Sequence, residues 1–97
     1  MRTIDLSIVE TLIREALPRA TEDEIGQLVS RFGGRAFHPD NNDLLTPFGP
    51  RDTARTKLAR VQTLIGCAMT GRRNGWALGY VSRTVERLVE DAAARAA

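Results

Sequence analysis

Several residue types on which protein chemistry often depends are almost missing from this sequence. Cysteine, histidine, tryptophan and tyrosine each occur once in 97 residues. A single cysteine excludes an intrachain disulfide and a cysteine-based zinc site. No apolar run approaches the roughly 20 residues that a membrane-spanning helix requires. We therefore expect neither a disulfide-stabilised mini-protein nor a membrane protein.

The first residues also lack the pattern of a secretory signal. Asp5 and Glu10 lie inside the first apolar stretch, whereas the core of a signal peptide is apolar. A lone free cysteine is typical of proteins in reducing compartments. The sequence therefore predicts a cytoplasmic protein.

A catalytic centre is hard to assemble from the residues present. Cys67 lies in an apolar stretch with Ile65 and Met69, and free cysteines are among the most buried residues. His38 lies in a loop rich in proline, asparagine and aspartate, and no local motif links it to Cys67. We expect Cys67 to be buried and unreactive, and we expect no enzyme activity.

Metal and nucleotide sites are weakly indicated as well. Residues 40–43, Asp-Asn-Asn-Asp, have closely spaced oxygen ligands, but Arg51 stands where a calcium loop has its last glutamate. Residues 71–75, Gly-Arg-Arg-Asn-Gly, lack the Lys-Ser/Thr of a phosphate-binding loop. The sequence therefore predicts no metal ion and no cofactor.

Helical patterning is what the sequence does contain. Apolar residues make up 42% of the chain and charged residues 27%, which is ordinary for a globular domain. Apolar residues recur at three- and four-residue steps over residues 5–17, which predicts a first helix. Thr21 followed by Glu24 predicts a capping box at the start of a second helix, and Gly33 and Gly34 predict its end.

A long loop separates these helices from the second half of the chain. Residues 33–50 hold three of the four prolines, and proline and turn residues interrupt regular structure. We expect an ordered loop with a helical turn near residues 43–45, because its apolar side chains can pack on the core. Those side chains are Phe37, Leu44, Leu45 and Phe48.

Two longer helices are predicted after the loop. The third starts near Pro50 and ends at Gly71, and the fourth spans residues 76–94. The predicted fold is therefore all-α, with one domain over residues 1–97. It is a small bundle of four helices in which the last two form an antiparallel hairpin.

Charge divides the chain into two halves. Residues 1–48 carry five arginines and eight acids, a net charge of −3, and residues 49–97 carry nine basic residues and four acids, a net charge of +5. Thirteen of the 14 basic residues are arginine, whose planar fork binds carboxylates and phosphates at two points. The basic half therefore indicates contact with an acidic protein surface or with nucleic acid.

The predicted fourth helix carries the most informative surface. At 100° per residue, a stripe of aromatic and arginine side chains lies opposite the apolar face of this helix. These residue types are enriched in interface hot spots. The stripe predicts a partner-binding surface, and the alternative is that its aromatic rings pack inside the monomer. Its members are Trp76, Tyr80, Arg83 and Arg87.

More basic side chains lie near this stripe. Arg72 and Arg73 are predicted at an exposed turn, where they extend the partner-binding surface. Two flanks of the third helix are also basic, but two flanks do not form the continuous track that a phosphate backbone needs. Ordinary solvated helix sides are the alternative. The flanks consist of Arg51 and Arg55 on one side and of Lys57 and Arg60 on the other.

Residues 79–88 resemble the turn and recognition helix of a helix-turn-helix motif. Gly79 would form the turn, and Ser82 and Arg83 would face the bases. The preceding helix would have to form from residues 71–78, where Asn74 stands in place of an apolar residue. The nucleic-acid-binding residues of this alternative are Ser82, Arg83, Arg87, Arg51 and Arg55.

Three functional hypotheses follow. The first is a small non-enzymatic module that occludes or bridges a larger protein or nucleoprotein complex, such as a phage or mobile-element inhibitor of the anti-CRISPR type. The second is a small DNA-binding transcriptional regulator with a degenerate helix-turn-helix. The third is a structural subunit of an assembly. The sequence leaves the partner and the oligomeric state open.

Overall fold

The structure is a computed structural model that describes residues 2–96, without the side chains of residues 2, 37 and 96. The fold is mostly helical, as predicted. Along the chain it contains β1 (Arg2–Thr3), α1 (Leu6–Ala16), α2 (Glu22–Ser30), β2 (Ala36–Phe37), a 3-10 helix (Pro39–Leu45), α3 (Ala54–Thr70) and α4 (Arg83–Ala96).

The starts of the first three helices follow from local hydrogen bonding. The Asp5 side chain accepts a hydrogen bond from Ser7 N at 2.9 Å and caps α1. Thr21 and Glu24 form the predicted capping box at α2. Thr53 caps α3, so this helix starts after the predicted position near Pro50. Each cap satisfies backbone N–H groups that have no partner within the helix.

One apolar core joins the four α-helices. α1 packs against α2 and α3, while α4 packs mainly against α2, so the predicted hairpin of the last two helices is not confirmed. Full burial of one such aliphatic side chain contributes about 1.5–3 kcal/mol. The fully buried aliphatic residues are Val9, Leu12, Ile13, Leu17, Leu28, Val61, Leu64, Ile65, Val85 and Val89.

The long loop is ordered and packed, as expected. β2 within it pairs antiparallel with β1, and the 3-10 helix Pro39–Leu45 extends the predicted helical turn. Leu44 is buried, and Leu45 and Phe48 pack partly against the core. The expected packing of the Phe37 side chain lies outside the described residues.

The predicted fourth helix over residues 76–94 is wrong at its start. α4 begins only at Arg83, and residues 73–79 form a run of hydrogen-bonded turns. Gly79 has a φ of +77°, a left-handed conformation that interrupts a right-handed helix. Trp76 and Tyr80 therefore do not lie on the same helix as Arg83 and Arg87.

Within residues 2–96, no helix combines the length and the apolar character that crossing a bilayer demands.

Candidate functional site

Two glycines fix the position of the turn segment, residues 73–79, that precedes α4. Gly66 of α3 and Gly75 of the turn meet backbone to backbone. A Cβ on Gly66 would lie 2.6 Å from Trp76 N, and a Cβ on Gly75 would lie 2.8 Å from Gly66 O. Real Cβ atoms do not approach this closely, so the contact requires glycine at both positions.

Thr70 reinforces this contact through its hydroxyl group. Thr70 Oγ1 donates a hydrogen bond to Gly66 O at 2.8 Å and accepts one from Arg72 N at 3.0 Å. Gly71, with a φ of +72°, ends α3 in the left-handed conformation. The chain therefore reverses at residues 70–72 with backbone and hydroxyl contacts, and without the Arg72 guanidinium.

The turn segment ends in a hydrogen-bonded motif that presents Tyr80. Gly79 N donates to Trp76 O and Tyr80 N donates to Gly75 O, both at 3.0 Å. Together with the left-handed Gly79, these two bonds form a Schellman motif. The motif uses only the backbone of Tyr80, so its side chain is not needed for the turn.

The two aromatic residues of the predicted stripe have different environments. Trp76 is partly buried and packs against the core, which agrees with the alternative prediction for this ring. Tyr80 is 53% exposed. The Arg72 guanidinium lies 5.4 Å from the centre of the Tyr80 ring, a cation–π distance that contributes about 0.5–1 kcal/mol at exposed positions. Tyr80 and Arg72 therefore form an exposed pair.

Two further arginines follow at the start of α4. Ser82 Oγ accepts a hydrogen bond from Val85 N at 3.4 Å and caps the helix. The Arg83 side chain is 92% exposed and its nearest acid, Glu86, lies 3.8 Å away. Arg87 is exposed, and within residues 2–96 it forms no salt bridge. We define the Tyr80–arginine surface as Arg72, Tyr80, Arg83 and Arg87.

Arg73 has a different role from its neighbour Arg72. It donates two hydrogen bonds to the Asp43 carboxylate, at 3.1 and 2.6 Å, and one to Asp40 O at 3.1 Å. The Arg73 hydrogen bonds lower the pKa of Asp43. Arg73 therefore ties the 3-10 helix to the turn at residues 73–79, although the sequence suggested a place in the binding surface.

The arginines in α3 and just before it also divide into two kinds. Arg60 donates to Thr46 O at 2.6 Å and lies 4.6 Å from the centre of the Phe48 ring, so it holds the long loop. Arg51 and Arg55 are exposed, and neither has an ion pair with any acid among residues 2–96. Those two remain candidates of the nucleic-acid alternative and lie outside the Tyr80–arginine surface.

A second ion pair, missed by the sequence analysis, joins α2 to the end of α4. Arg95 donates hydrogen bonds to both Glu24 carboxylate oxygens, at 2.8 and 2.6 Å, and to Arg19 O at 2.9 Å. The bonds from Arg95, and then the bond from Thr21 N, lower the pKa of Glu24 to about 2. The capping box was the visible signal for Glu24, but its partner is 71 residues away.

Among the described residues, no hydrogen bond joins the single cysteine to the single histidine. Cys67 is a free, buried thiol, and burial raises its pKa, which disfavours the reactive thiolate. His38 is exposed, and its ring Nδ1 accepts a hydrogen bond from Asp40 N at 3.2 Å. No group of three or more potential metal ligands occurs in the part of the chain that the structure describes.

The surface of α4 carries both signs of charge. Arg83 and Arg87 border two grooves along the helix, and carboxylates border both grooves as well. Those carboxylates are Asp91 in one groove and Glu86 and Glu90 in the other. The arginines therefore belong to a mixed surface in which each can meet an acidic partner group while nearby acids meet a basic one.

No family model, no curated protein and no solved structure matches this chain.

Proposed function

We propose that this protein is a non-enzymatic binding module whose Tyr80–arginine surface contacts an acidic surface of a larger protein. The observation that carries the proposal is that the fold does not use these four side chains. Backbone contacts at Gly66 and Gly75 position the segment before α4, and the apolar face of α4 anchors the helix. Tyrosine and arginine are the residue types that dominate binding energy in protein interfaces.

Charge favours a protein partner over a phosphate backbone. Acidic side chains lie beside Arg83 and Arg87, and these acids would repel a uniform row of phosphates. A protein surface can place carboxylates against the arginines and basic groups against Glu86 and Glu90. Occlusion of a host nucleoprotein complex, the narrower hypothesis from the sequence, remains a prediction within this proposal.

A nuclease-treated pull-down from lysate tests the proposed surface. The wild-type protein should retain a defined partner, and the double variant Arg83→Ala/Arg87→Ala should lose it. The variant Tyr80→Ala should lose it as well, because hot-spot truncations typically cost about 2 kcal/mol or more. Circular dichroism should show that these variants keep their helical content.

The matched control is Arg51→Ala/Arg55→Ala, which removes the same charge from exposed positions outside the surface. This control should retain the partner. Equal loss of capture in both double variants would overturn the proposal, since net charge rather than the defined surface would then be responsible. Self-association of the protein that depends on Tyr80 would instead support a structural subunit.

A DNA-binding function is a second candidate, favoured by one observation. Residues 73–79 form hydrogen-bonded turns rather than a helix, and the left-handed Gly79 separates them from α4. Ser82, Arg83 and Arg87 are exposed on the second element, which is the element that reads bases in a helix-turn-helix.

Salt dependence separates the two candidates. DNA binding predicts an affinity for duplex DNA whose logarithm falls linearly with that of the salt concentration, with a slope near −0.9 for each phosphate contacted. The proposed protein-binding module should show little affinity for DNA by fluorescence anisotropy. Tight duplex binding that Ser82→Ala and Arg83→Ala weaken would favour the regulator.

A further inference from the structure

A concave, basic pocket lies between the end of α2 and the end of α3, apart from the surface already described. It has a volume of about 250 Å³, and the residues that line it are Ser30, Arg31, Gly33, Arg35 and Met69. Two of the five are arginines, and none is acidic. The grooves along α4 differ from it because both include carboxylates.

The fold does not need the two arginine side chains of this pocket. Arg35 contributes through its backbone, since its carbonyl accepts from Ile4 N at 3.0 Å and its N–H donates to Phe32 O at 3.1 Å. Arg31 N donates to Leu28 O at 3.2 Å. Among residues 2–96, neither guanidinium forms a salt bridge or a side-chain hydrogen bond.

The end of α2 does not occupy these guanidinium groups either. Helix carbonyls near a C-terminus often attract arginine side chains. Here the carbonyls of Leu28, Val29 and Ser30 accept backbone hydrogen bonds from the following turn. Ser30 Oγ donates to Gln27 O at 2.8 Å, so the guanidinium groups are the side-chain donors left for a ligand.

We propose that this pocket binds a phosphate group, as the free dianion or as a phosphate monoester. Two guanidinium charges in a pocket with no carboxylate in its lining match a doubly charged anion better than a single carboxylate. The planar arginine fork offers paired N–H donors to phosphate oxygens. Met69 gives the pocket an apolar wall that the organic part of a monoester can contact.

Amide chemical shifts measured during titration test this assignment. ¹⁵N-labelled protein is titrated at constant ionic strength with sodium chloride, inorganic phosphate and phenyl phosphate in separate series. Phosphate should produce saturable shifts in the amides of residues 31–35, and chloride should not. Tighter binding of phenyl phosphate would identify a monoester, and equal binding would identify free phosphate.

Charge-matched variants make the result specific. Arg31→Ala/Arg35→Ala should weaken binding at least about tenfold, and Arg31→Lys/Arg35→Lys should weaken it less, because lysine keeps the charge but lacks the fork. Arg51→Ala/Arg55→Ala should bind as the wild type does. Shifts that do not saturate, or equal weakening in the Arg51/Arg55 variant, would overturn the proposal.

A change of pH gives an independent readout. The second pKa of a phosphate monoester is near 6, so binding should weaken as the pH falls from about 7.5 to about 5.5 and the ligand loses one charge. Binding that is unchanged over this range would contradict recognition of the dianion. Because the pocket excludes Tyr80 and Arg83, the Tyr80→Ala variant should keep phosphate binding whether or not it keeps its protein partner.

Discussion

Two regions of this protein are held in place by different means. At the junction of α2 with the end of α4, side chains hold the two helices together. Arg95 and Glu24 form a two-point ion pair, and Glu24 also completes the cap of α2. In residues 71–82, the backbone of Gly75 packs directly against the backbone of Gly66 in α3, with no room for a Cβ at either position.

The difference separates structural arginines from available ones. A guanidinium that already binds a carboxylate with good geometry offers less to a partner, and its loss leaves that carboxylate unpaired. Where backbone atoms hold a segment, its large side chains are free to serve another purpose. Arg95 belongs to the first kind, and so does Arg73 within residues 71–82. Arg72 belongs to the second kind, and Arg83 and Arg87 are available because apolar side chains anchor α4.

The largest effect is expected from adding one methyl group to the backbone-held region. Gly75→Ala should destabilise the fold by about 3 kcal/mol, the upper end for overpacking, because the new Cβ would lie 2.8 Å from the backbone oxygen of Gly66. Urea denaturation measures this loss. Gly26→Ala is the control: nothing lies within 4 Å of its Cβ, and alanine should raise the stability of α2 by up to about 1 kcal/mol. A tolerated Gly75→Ala would contradict the backbone contact.

Removing the ion pair between Glu24 and Arg95 should reduce the free energy of unfolding by somewhat less. Glu24→Ala removes the partner of Arg95 and the cap contact, and hydrogen bonds to charged groups contribute about 2 kcal/mol. The same denaturation assay measures the loss. Glu90→Ala, at an exposed position, should change stability by less than about 0.5 kcal/mol. Equal effects of the two substitutions would remove the contrast between the regions.

Acid should weaken the same junction. The pKa of Glu24 falls from its usual 4.5 to about 2 in the fold, so the carboxylate stabilises the native state fully above its unfolded-state pKa. This contribution is lost as the pH falls from about 4.5 to about 2. The stability difference between wild type and Glu24→Gln should therefore be large near neutral pH and should shrink over that range. A difference independent of pH would show that the charge of Glu24 is unimportant.

Alanine substitutions at the neighbouring residues Arg72 and Arg73 should lower the melting temperature by different amounts. Arg73→Ala breaks the contacts with Asp43 and Asp40 O, and we expect a lower melting temperature. Arg72→Ala removes only the contact with the exposed Tyr80 ring, so its melting temperature should stay closer to the wild type. The reverse order would show that Arg72 is the structural residue of the pair.

The smallest effect on stability is expected on α4. Arg83→Ala and Arg87→Ala should each change the free energy of unfolding by no more than about 0.5 kcal/mol, as is usual for surface positions. Partner capture should nevertheless be lost in the double variant. A large loss of stability would mean that the fold uses these side chains, and it would remove the main support for the Tyr80–arginine surface.

Local signals in the sequence predicted most of the helical framework. The Thr21–Glu24 capping box and the glycine end of α3 are decided within a few residues. The start of α4 was missed because apolar spacing continues through residues 76–82, while the left-handed Gly79 interrupts the helix. Periodicity reports which residues can share a face, but it does not report where one glycine breaks the helix.

The candidate site was predictable only in its residue types. Tyr80 and Arg83 are exposed, but they do not share the helix on which the stripe was predicted, and Trp76 packs against the core. The role of Arg73 depends on Asp43, 30 residues away, and that of Arg95 depends on Glu24. Contacts at such separations depend on how the helices pack, which residue spacing does not determine.

The close contact of Gly66 with the backbone of Trp76 has a practical consequence. Trp76 is the only tryptophan of the chain, and it stands where α3 meets the segment that carries Tyr80. Its intrinsic fluorescence is thus a built-in reporter of this joint, requiring no added dye. A partner that binds Tyr80 should change the fluorescence of Trp76, four residues away, without contacting the indole ring.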